Sequence, residues 1–526
     1  MGPEELTRTE WDAIIVGTGM GGATLGHALA KAGQRVLFCE RGRNTLPSAP
    51  DAVRGEYPEE RGGAPELLAR GGRTSEEVID ESGKRPQRFL PFTGSGTGGS
   101  TGLFGMALER FSPADFSPRQ NHPDVADPNL PEAWPVSFAQ LTPFYEAAEA
   151  MYRVRGTADP LRADVPRFTG EPPTLTPEGA ALFAHFTKQG LHPYRLPLAC
   201  EFVPGCHGCQ SILCDLGCKN DSARICLTPA IERHGAVLLD GCHVARLEAD
   251  RTRVSGVCCT WRGRSLLLRG RRVILAAGAL QTPSLLLRSR SDQWPIGLAN
   301  GSDLVGRNLM RHLVDLYLIE PLSKSAVENR FKELAFNDFY RVDGLRMGSV
   351  QSFGRLPPSE MVLQSLQKKM SLVRAVSPLL RPFLKRLVDR SITFATIAED
   401  LPSLENRVLP ESPEGQVRFV YRVSDADRAR ITQLRQLMKR VLKSRRWRVL
   451  KEVDNNERIA HVCGTCRFGD DPQTSVLDAS NRAHELDNLY VVDTSFFPSS
   501  GGTNPSLTVA ANALRVAAEL THRKFD

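Results

Sequence analysis

The first forty residues alternate between apolar runs and a turn of small residues. Residues 12–17 (DAIIVG) form an apolar run that ends in glycine, and the glycine-rich stretch continues to residue 22. A helical pattern, ATLGHALAKAG, comes next, and a second apolar run, RVLFCERG, closes on an acid. Strand, tight turn, helix and strand within about 30 residues predict a βαβ unit.

Periodic patterns further along the chain predict more elements. They are a helix over 137–153, a strand, turn and helix over 272–289, an amphipathic helix over 427–446, and a strand over 489–493 before a final helix. We expect Ser137 and Gln140 to cap the first of these helices. We expect Pro283 to open the helix within 272–289, because proline suits the first turn.

Length and composition limit the class of protein. A chain of 526 residues is too long for one ordinary core, so at least two domains are expected. Its 41% apolar and 24% charged residues are typical of a globular protein. The net charge of +7 comes without a nucleic-acid recognition motif, so we expect no nucleic-acid partner. No apolar stretch is long enough for a transmembrane segment.

The N-terminal sequence MGPEELTRTEWD is polar and has no apolar run, so no signal peptide is expected. A cytoplasmic location is the prediction that follows. Periplasmic export together with a signal-bearing partner is the alternative.

The glycines of the first turn point to dinucleotide binding. Gly17, Gly19 and Gly22 fit G-x-G-x-x-G: the first permits the turn, the second lets the backbone approach a pyrophosphate, and the third lets helix and strand pack. Glu40 ends the second strand, where a carboxylate can bind ribose hydroxyls and disfavours NADP. The motif does not separate FAD from NAD, and a purely structural glycine turn is the other interpretation.

Several segments together resemble the glucose–methanol–choline (GMC) family of oxidoreductases. The similarity is to the bacterial branch of choline-dehydrogenase-like enzymes. The similar stretches occur in the family's order over nearly the whole chain. They are GTGGSTGLFGMALERFSPADF (96–116), WPVSFAQLTPFYEAAE (134–149), AAGALQTPSLLLRS (276–289), DLVGRNLMRH (303–312), LPSLENRV (401–408), HVCGTCRFGDDPQTSVLD (461–478) and NLYVVDTSFFPSSGGTNPSLTVAANALRVA (488–517).

The resemblance implies a fold and a domain layout. The expected fold is an α/β, Rossmann-like FAD-binding domain plus an α+β substrate-binding domain with an antiparallel sheet. The FAD-binding domain would combine residues 1–135, 220–315 and 455–526. The substrate-binding domain would combine residues 136–219 and 316–454.

The resemblance also implies the cofactor and its contacts. FAD is expected rather than NAD, and no histidine lies between residues 94 and 121 to tether it, so we expect it to be non-covalent. Beyond the first glycine motif and Glu40, the cofactor-binding residues carried over are Gly98, Gly99, Ser100, Asp493, Asn504 and Pro505. For Asp493, a structural role at the end of a strand is the alternative.

The same resemblance places His461 and Asn504 at the reacting centre. Oxidation of an alcohol removes a proton from O–H and a hydride from the adjacent C–H. A histidine can accept the proton, and an asparagine NH₂ can stabilise the developing alkoxide. An alcohol or sugar oxidase or dehydrogenase is therefore expected. A flavin-containing lyase and a structural flavoprotein subunit are the alternatives.

A cysteine cluster stands apart from these motifs. Cys206, Cys209, Cys214 and Cys218 supply four thiols in 13 residues, a set that suits a metal. Some relatives that pass electrons to a quinone or a protein carrier hold an iron–sulfur cluster in such a loop. Zinc, disulfides and buried thiols are the alternatives, and His207 is a further candidate ligand. Near His461, Cys463 and Cys466 are expected to be packed thiols.

Two basic amphipathic segments, 361–390 and 427–446, admit two interpretations. They could dock on a membrane surface or on an acidic electron-carrier protein. The alternative is an ordinary helix with a solvated basic face and an apolar stripe toward the core.

Overall fold

The computed structural model describes residues 1–321, 331–369 and 371–522, with only the backbone of residues 364–366, 368, 369 and 371–376. Its helices are α1 (Pro3–Arg8), α2 (Met20–Lys31), α3 (Pro65–Arg70), α4 (Pro118–Asn121), α5 (Phe138–Met151), α6 (Pro177–Lys188), α7 (Thr228–His234), α8 (Gln281–Arg288), α9 (Ser359–Lys369), α10 (Ser371–Arg390), α11 (Asp425–Val441) and α12 (Ser506–Thr521).

The strands are shorter on average and are grouped in separate sheets. They are β1 (Glu10–Val16), β2 (Val36–Cys39), β3 (Val78–Asp80), β4 (Gln87–Phe89), β5 (Tyr194–Arg195), β6 (Val237–Leu239), β7 (Cys242–Ala249), β8 (Val254–Trp261), β9 (Arg264–Leu275), β10 (Leu313–Ile319), β11 (Leu334–Phe336), β12 (Arg341–Val342), β13 (Leu345–Arg346), β14 (Gly348–Ser352), β15 (Ile392–Ala398), β16 (Arg407–Leu409), β17 (Arg418–Val420), β18 (Trp447–Lys451) and β19 (Leu489–Val491).

The first sheet is built around β1, as its unbroken apolar sequence predicts. Strands β6, β2, β1, β9 and β19 lie side by side and all run parallel, and β7 and β8 extend β9 as an antiparallel meander. Residues 13–16 of β1 are buried because the strand has neighbours on both sides and helices on the faces. The predicted βαβ unit is confirmed as β1, α2 and β2.

The second sheet is antiparallel throughout. Its order is β18-β10-β15-β14-β11-β5, and every adjacent pair runs antiparallel. Apolar residues of α6 and α11 pack on one face of this sheet. Leu387 of α10 packs on the other face. The two sheets confirm the expected fold class, and the residue boundaries between the two domains stay a prediction.

Three predicted elements differ from the structure in detail. Helix α8 begins at Gln281, so Pro283 lies within its first turn but does not open it. Helix α11 ends at Val441 rather than 446, because residues 447–451 pair with β10 as an edge strand. The predicted helix over 137–153 is α5, which has the expected capping box but ends at Met151.

The basic segment 361–390 forms α9 and α10, and α10 continues through both of its prolines. Many side chains of this segment lie outside the described residues. Among the described helices, none has both the length and the apolar character that crossing a bilayer requires.

Candidate active site

The first glycine turn leaves open space at one of its three predicted positions. Gly17 has φ +99°, and a side chain there would overlap the carbonyl of Ala276. A side chain at Gly22 would overlap the carbonyl of Gly17. At Gly19, the residue before α2, an added Cβ would meet no protein atom within 4 Å. Gly17 and Gly22 thus allow close packing of the backbone. Gly19 borders open space beside the N-terminus of α2, a position where anions bind favourably.

The second glycine segment lies against the first. The Gly98 amide donates to Thr18 Oγ1 at 3.2 Å, and a Cβ on Gly99 would lie 3.1 Å from the Gly19 Cα. Both Gly98 and Gly99 have positive φ, which favours glycine. Ser100 follows in an exposed turn, and its hydroxyl accepts from the Gly94 amide at 3.1 Å. The structure therefore brings together two segments that are about 80 residues apart in sequence.

Glu40 ends β2 beside this turn. One carboxylate oxygen accepts from the Thr18 amide at 3.1 Å and from the Thr18 hydroxyl at 2.6 Å. The other accepts from the Gly42 amide at 2.9 Å. A carboxylate has about four acceptor sites, so it retains capacity for a ligand hydroxyl.

The Asp493 carboxylate is engaged within the protein. It accepts from the Gly278 amide at 2.9 Å, from the Thr282 hydroxyl, and from the Ser495 amide at 2.8 Å. Burial raises its pKa, and these hydrogen bonds oppose that effect. This geometry favours the structural interpretation of Asp493, since the carboxylate joins β19 to the turn that follows β9.

His461 has a partner that the sequence analysis did not identify. Its Nδ1 lies 3.0 Å from Nδ1 of His312. Nε2 of His312 lies 2.8 Å from the Ser500 carbonyl oxygen and 3.0 Å from that of Gly501. Carbonyl oxygens only accept hydrogen bonds, so Nε2 of His312 carries the proton and its Nδ1 accepts. His461 must then donate from Nδ1, which leaves its Nε2 as an unprotonated acceptor.

The electrostatic surroundings favour the neutral form of both rings. Burial lowers the pKa of His461 well below its usual value, and the neighbouring His312 and Lys332 lower it further. Burial also lowers the pKa of His312. Both histidines have a left-handed backbone, with φ +49° at His461 and +60° at His312. Such φ values are uncommon outside glycine, and strained residues concentrate at active sites.

Two buried carboxylates hold His312 and the 499–504 loop. Asp400 accepts from the backbone amide of His312 at 3.1 Å and from the Ser500 hydroxyl at 2.8 Å. Glu399 accepts from the Gly501 amide at 3.3 Å. These contacts fix the carbonyls to which the His312 ring donates.

Asn504 lies in this same loop. Its Oδ1 accepts from the side-chain NH₂ of Gln351 on β14 at 2.7 Å. The NH₂ group of Asn504 is therefore the end that remains for a ligand. Pro505 follows directly before α12, a helix of 16 residues, so Asn504 lies beside a helix N-terminus. The described structure thus attaches both predicted reacting residues to the 499–504 loop, one directly and one through His312.

The cysteine loop, residues 200–218, adds a fifth thiol to the predicted four. Sulfur–sulfur distances are 3.9 Å for Cys200–Cys206, 3.1 Å for Cys206–Cys218 and 3.5 Å for Cys214–Cys218. Cys200, which the sequence analysis left out, therefore belongs to the group. Cys209 lies 3.6 Å from an Asp215 carboxylate oxygen, and its thiol also neighbours that of Cys214.

The remaining candidate ligands and cysteines lie outside this group. His207 pairs with Asp215 at 3.3 Å in an exposed position and does not lie among the sulfurs of Cys200, Cys206 and Cys218. All twelve cysteines are free thiols. Cys463 and Cys466 are buried in the main core, which agrees with packed thiols.

Comparisons with known proteins agree with this architecture. Family models described as GMC oxidoreductase match residues 172–314 and 403–513. The chain is 30% identical to 6'''-hydroxyparomomycin C oxidase of Streptomyces lividus, over 96% of this chain and 90% of the relative. It is 25% identical to 2-methyl-1,2-propanediol dehydrogenase of Mycolicibacterium austroafricanum, over 98% and 96%.

A solved structure extends the comparison to the fold. Pyridoxine 4-oxidase from Mesorbium loti matches with a TM-score of 0.66 and 22% identity, covering 98% of this chain and 100% of that one. At this identity the likeness concerns the fold alone.

Proposed function

The chain belongs to the GMC oxidoreductase family, and from this we propose that it oxidises an alcohol group with FAD, using His461 as the general base. The substrate class is a sugar, a polyol or another small alcohol. The names of the relatives, an aminoglycoside oxidase and a diol dehydrogenase, support this class. The observation that carries the proposal is the His312–His461 pair, because it leaves an unprotonated ring nitrogen at the predicted base.

The residues at the first glycine turn fit an FAD. Gly19 faces open space, the two glycine segments lie against each other, and Glu40 retains an acceptor site. Gly98, Gly99 and Ser100 would continue the cradle, and we propose that FAD is held there without a covalent bond. FAD, when bound, supplies the acceptor for the hydride that leaves the substrate carbon.

His461 and Asn504 share the work on the substrate hydroxyl. The hydroxyl proton moves to Nε2 of His461, whose Nδ1–H remains hydrogen-bonded to His312. The resulting imidazolium is stabilised by that contact. The NH₂ of Asn504 donates to the developing alkoxide, and the N-terminus of α12 adds a favourable dipole. Pro505 begins this helix without removing a donor that the helix needs.

The test is anaerobic mixing of the FAD-loaded protein with a panel of amino sugars, vicinal diols and simple alcohols. Bleaching of the flavin with formation of the matching aldehyde or ketone supports the proposal. A product without net oxidation would indicate the lyase. Binding without any turnover across the panel would indicate a structural flavoprotein.

The electron acceptor is a separate question, tested by adding oxygen, a quinone or a carrier protein to the reduced enzyme. An iron–sulfur cluster at Cys206, Cys209, Cys214 and Cys218 stays a prediction of the resemblance. One contact links the cysteine loop to the predicted cofactor site: the Ser211 amide of the loop donates to the Leu103 carbonyl at 2.7 Å. The loop therefore lies directly behind the second glycine segment.

A further inference from the structure

We propose that the cysteine loop binds a single zinc ion through Cys200, Cys206, Cys214 and Cys218. All four thiols are buried. The Sγ atoms of Cys200, Cys206 and Cys218 lie within 4.8 Å of one another, and Cys214 lies 3.5 Å from Cys218. This proposal does not depend on the catalytic function, because the metal can be measured in resting protein.

The spacing of the sulfurs argues for one ion. Zinc–sulfur bonds are about 2.3 Å, so the thiolates of a tetrahedral site lie about 3.8 Å apart. The three measured distances, from 3.1 to 3.9 Å, are in this range. Cys214 touches Cys218 but lies outside the 4.8 Å group of the other three, so its side chain must turn toward them when the ion binds. In a [4Fe–4S] cluster each thiolate binds a different iron, and the cluster itself keeps the ligands further apart. The residues present therefore fit a single ion better than they fit a cluster.

A buried cation beside the sulfurs supports a negatively charged centre. Lys219 is 1% exposed, and its ammonium donates to the Gly102 carbonyl at 2.7 Å and the Ile212 carbonyl at 2.9 Å. Its charge interacts first with the Asp221 carboxylate and then with the sulfurs of Cys209, Cys214 and Cys200. Binding converts four thiols to thiolates and releases four protons, so a zinc tetrathiolate carries two negative charges. A buried ammonium offsets part of that charge.

The position of the loop suggests a structural role. The Ala199 amide donates to the Met106 carbonyl at 2.8 Å, and Lys219 donates to the Gly102 carbonyl. The zinc site would therefore stiffen the support of the glycine segment that faces the predicted cofactor. A closed site with four protein ligands is typical of structural zinc.

The experiment begins with untagged wild-type protein purified without chelators. Elemental analysis should find one zinc per chain, little iron and no acid-labile sulfide. Exchange of the zinc for cobalt should give the thiolate charge-transfer and d–d bands of a tetrahedral site. Stoichiometric iron with sulfide would overturn the proposal in favour of a cluster. Absence of metal together with a lowered free-thiol count would overturn it in favour of a disulfide.

Two matched pairs of variants test the ligand set. Cys200→Ser and Cys218→Ser should reduce the zinc content at least tenfold, whereas Cys209→Ser and Cys258→Ser should retain it. Cys209 belongs to the set predicted from sequence and lies beside Asp215, and Cys258 is a half-buried thiol on β8. Loss of zinc in Cys209→Ser with retention in Cys200→Ser would refute the assignment. If a variant fails to fold, the metal content and cobalt spectrum of the wild type still decide the proposal.

Discussion

Replacing His461 by alanine removes the proposed base and leaves the first glycine turn and its neighbours unchanged. The variant should bind FAD and remain yellow, because neither glycine segment contains His461 or His312. We expect the rate at which substrate reduces the flavin to fall by about 10²–10⁴, the usual contribution of general acid–base catalysis. That range corresponds to about 3–5 kcal/mol of transition-state stabilisation.

The structure also sets the effect of this variant on stability. The described polar contact of the ring is the 3.0 Å hydrogen bond to His312, and its loss leaves a buried acceptor without a donor. Such a loss costs about 1–3 kcal/mol, which is less than the roughly 5–15 kcal/mol by which native proteins are stable. A folded variant is therefore expected, with a modestly lower free energy of unfolding.

Anaerobic stopped-flow absorbance of the flavin measures the rate directly. His192→Ala is a matched control, because this exposed imidazole pairs with Asp338 and lies outside the site. The control should reduce its flavin at the wild-type rate. Raising the pH should restore part of the activity of His461→Ala, since a pre-ionised alcohol no longer needs the base. Unchanged bleaching in fully FAD-loaded His461→Ala would refute the role of this residue.

Three further predictions test other parts of the site. Gly19→Ala should lose FAD while keeping its fold, because the added methyl meets no protein atom. Gly22→Ala should lower the melting temperature, because its methyl would overlap the Gly17 carbonyl. Gly83→Ala, with open surroundings on the surface, should change neither FAD binding nor the melting temperature. Asn504→Ala should slow flavin reduction by about 10- to 150-fold, since a hydrogen bond to a charged group contributes about 1.5–3 kcal/mol. Because the pKa of His461 is lowered, its imidazole stays neutral at acidic pH, and kcat/KM should stay level as the pH falls through 6.5. A decline in kcat/KM that begins above pH 6.5 would contradict the lowered pKa.

Local patterns predicted the parts of the molecule that short stretches of sequence determine. The βαβ unit follows from two apolar runs and a glycine turn, and α5 follows from its capping box. His312 could not be found in this way, because the ring it contacts is 149 residues away. The stretch that contains His312, residues 303–312, resembles the family, but no neighbouring residue in the sequence marks this histidine as the partner of a base.

Cys200 was missed for a related reason. It lies outside the close spacing that drew attention to the other thiols, and only the folded loop places its sulfur 3.9 Å from Cys206. Cys209 has the expected spacing in sequence, and its sulfur lies beside both Asp215 and Cys214, outside the close group of Cys200, Cys206 and Cys218. Spacing along a loop thus identifies a group of candidate ligands, while the backbone path decides which of them converge.

The register of the antiparallel sheet explains why distant residues meet at the proposed base. Leu313 at the start of β10 pairs with Ala398 at the end of β15. His312 comes just before β10 and Asp400 comes two residues after β15, so the two lie close together. The Asp400 contact with the His312 amide at 3.1 Å is the result.

Strand β14 begins at the same end of the sheet. Its first residue, Gly348, also pairs with Ala398, and the Ser349 amide donates to the Gly502 carbonyl at 2.9 Å. Three strand ends therefore hold the 499–504 loop and His312 at once. The proposed base is thus oriented by the antiparallel sheet, whereas the glycine turn that would hold the cofactor belongs to the parallel sheet. Substitutions at these strand ends should therefore slow proton removal before they weaken cofactor binding.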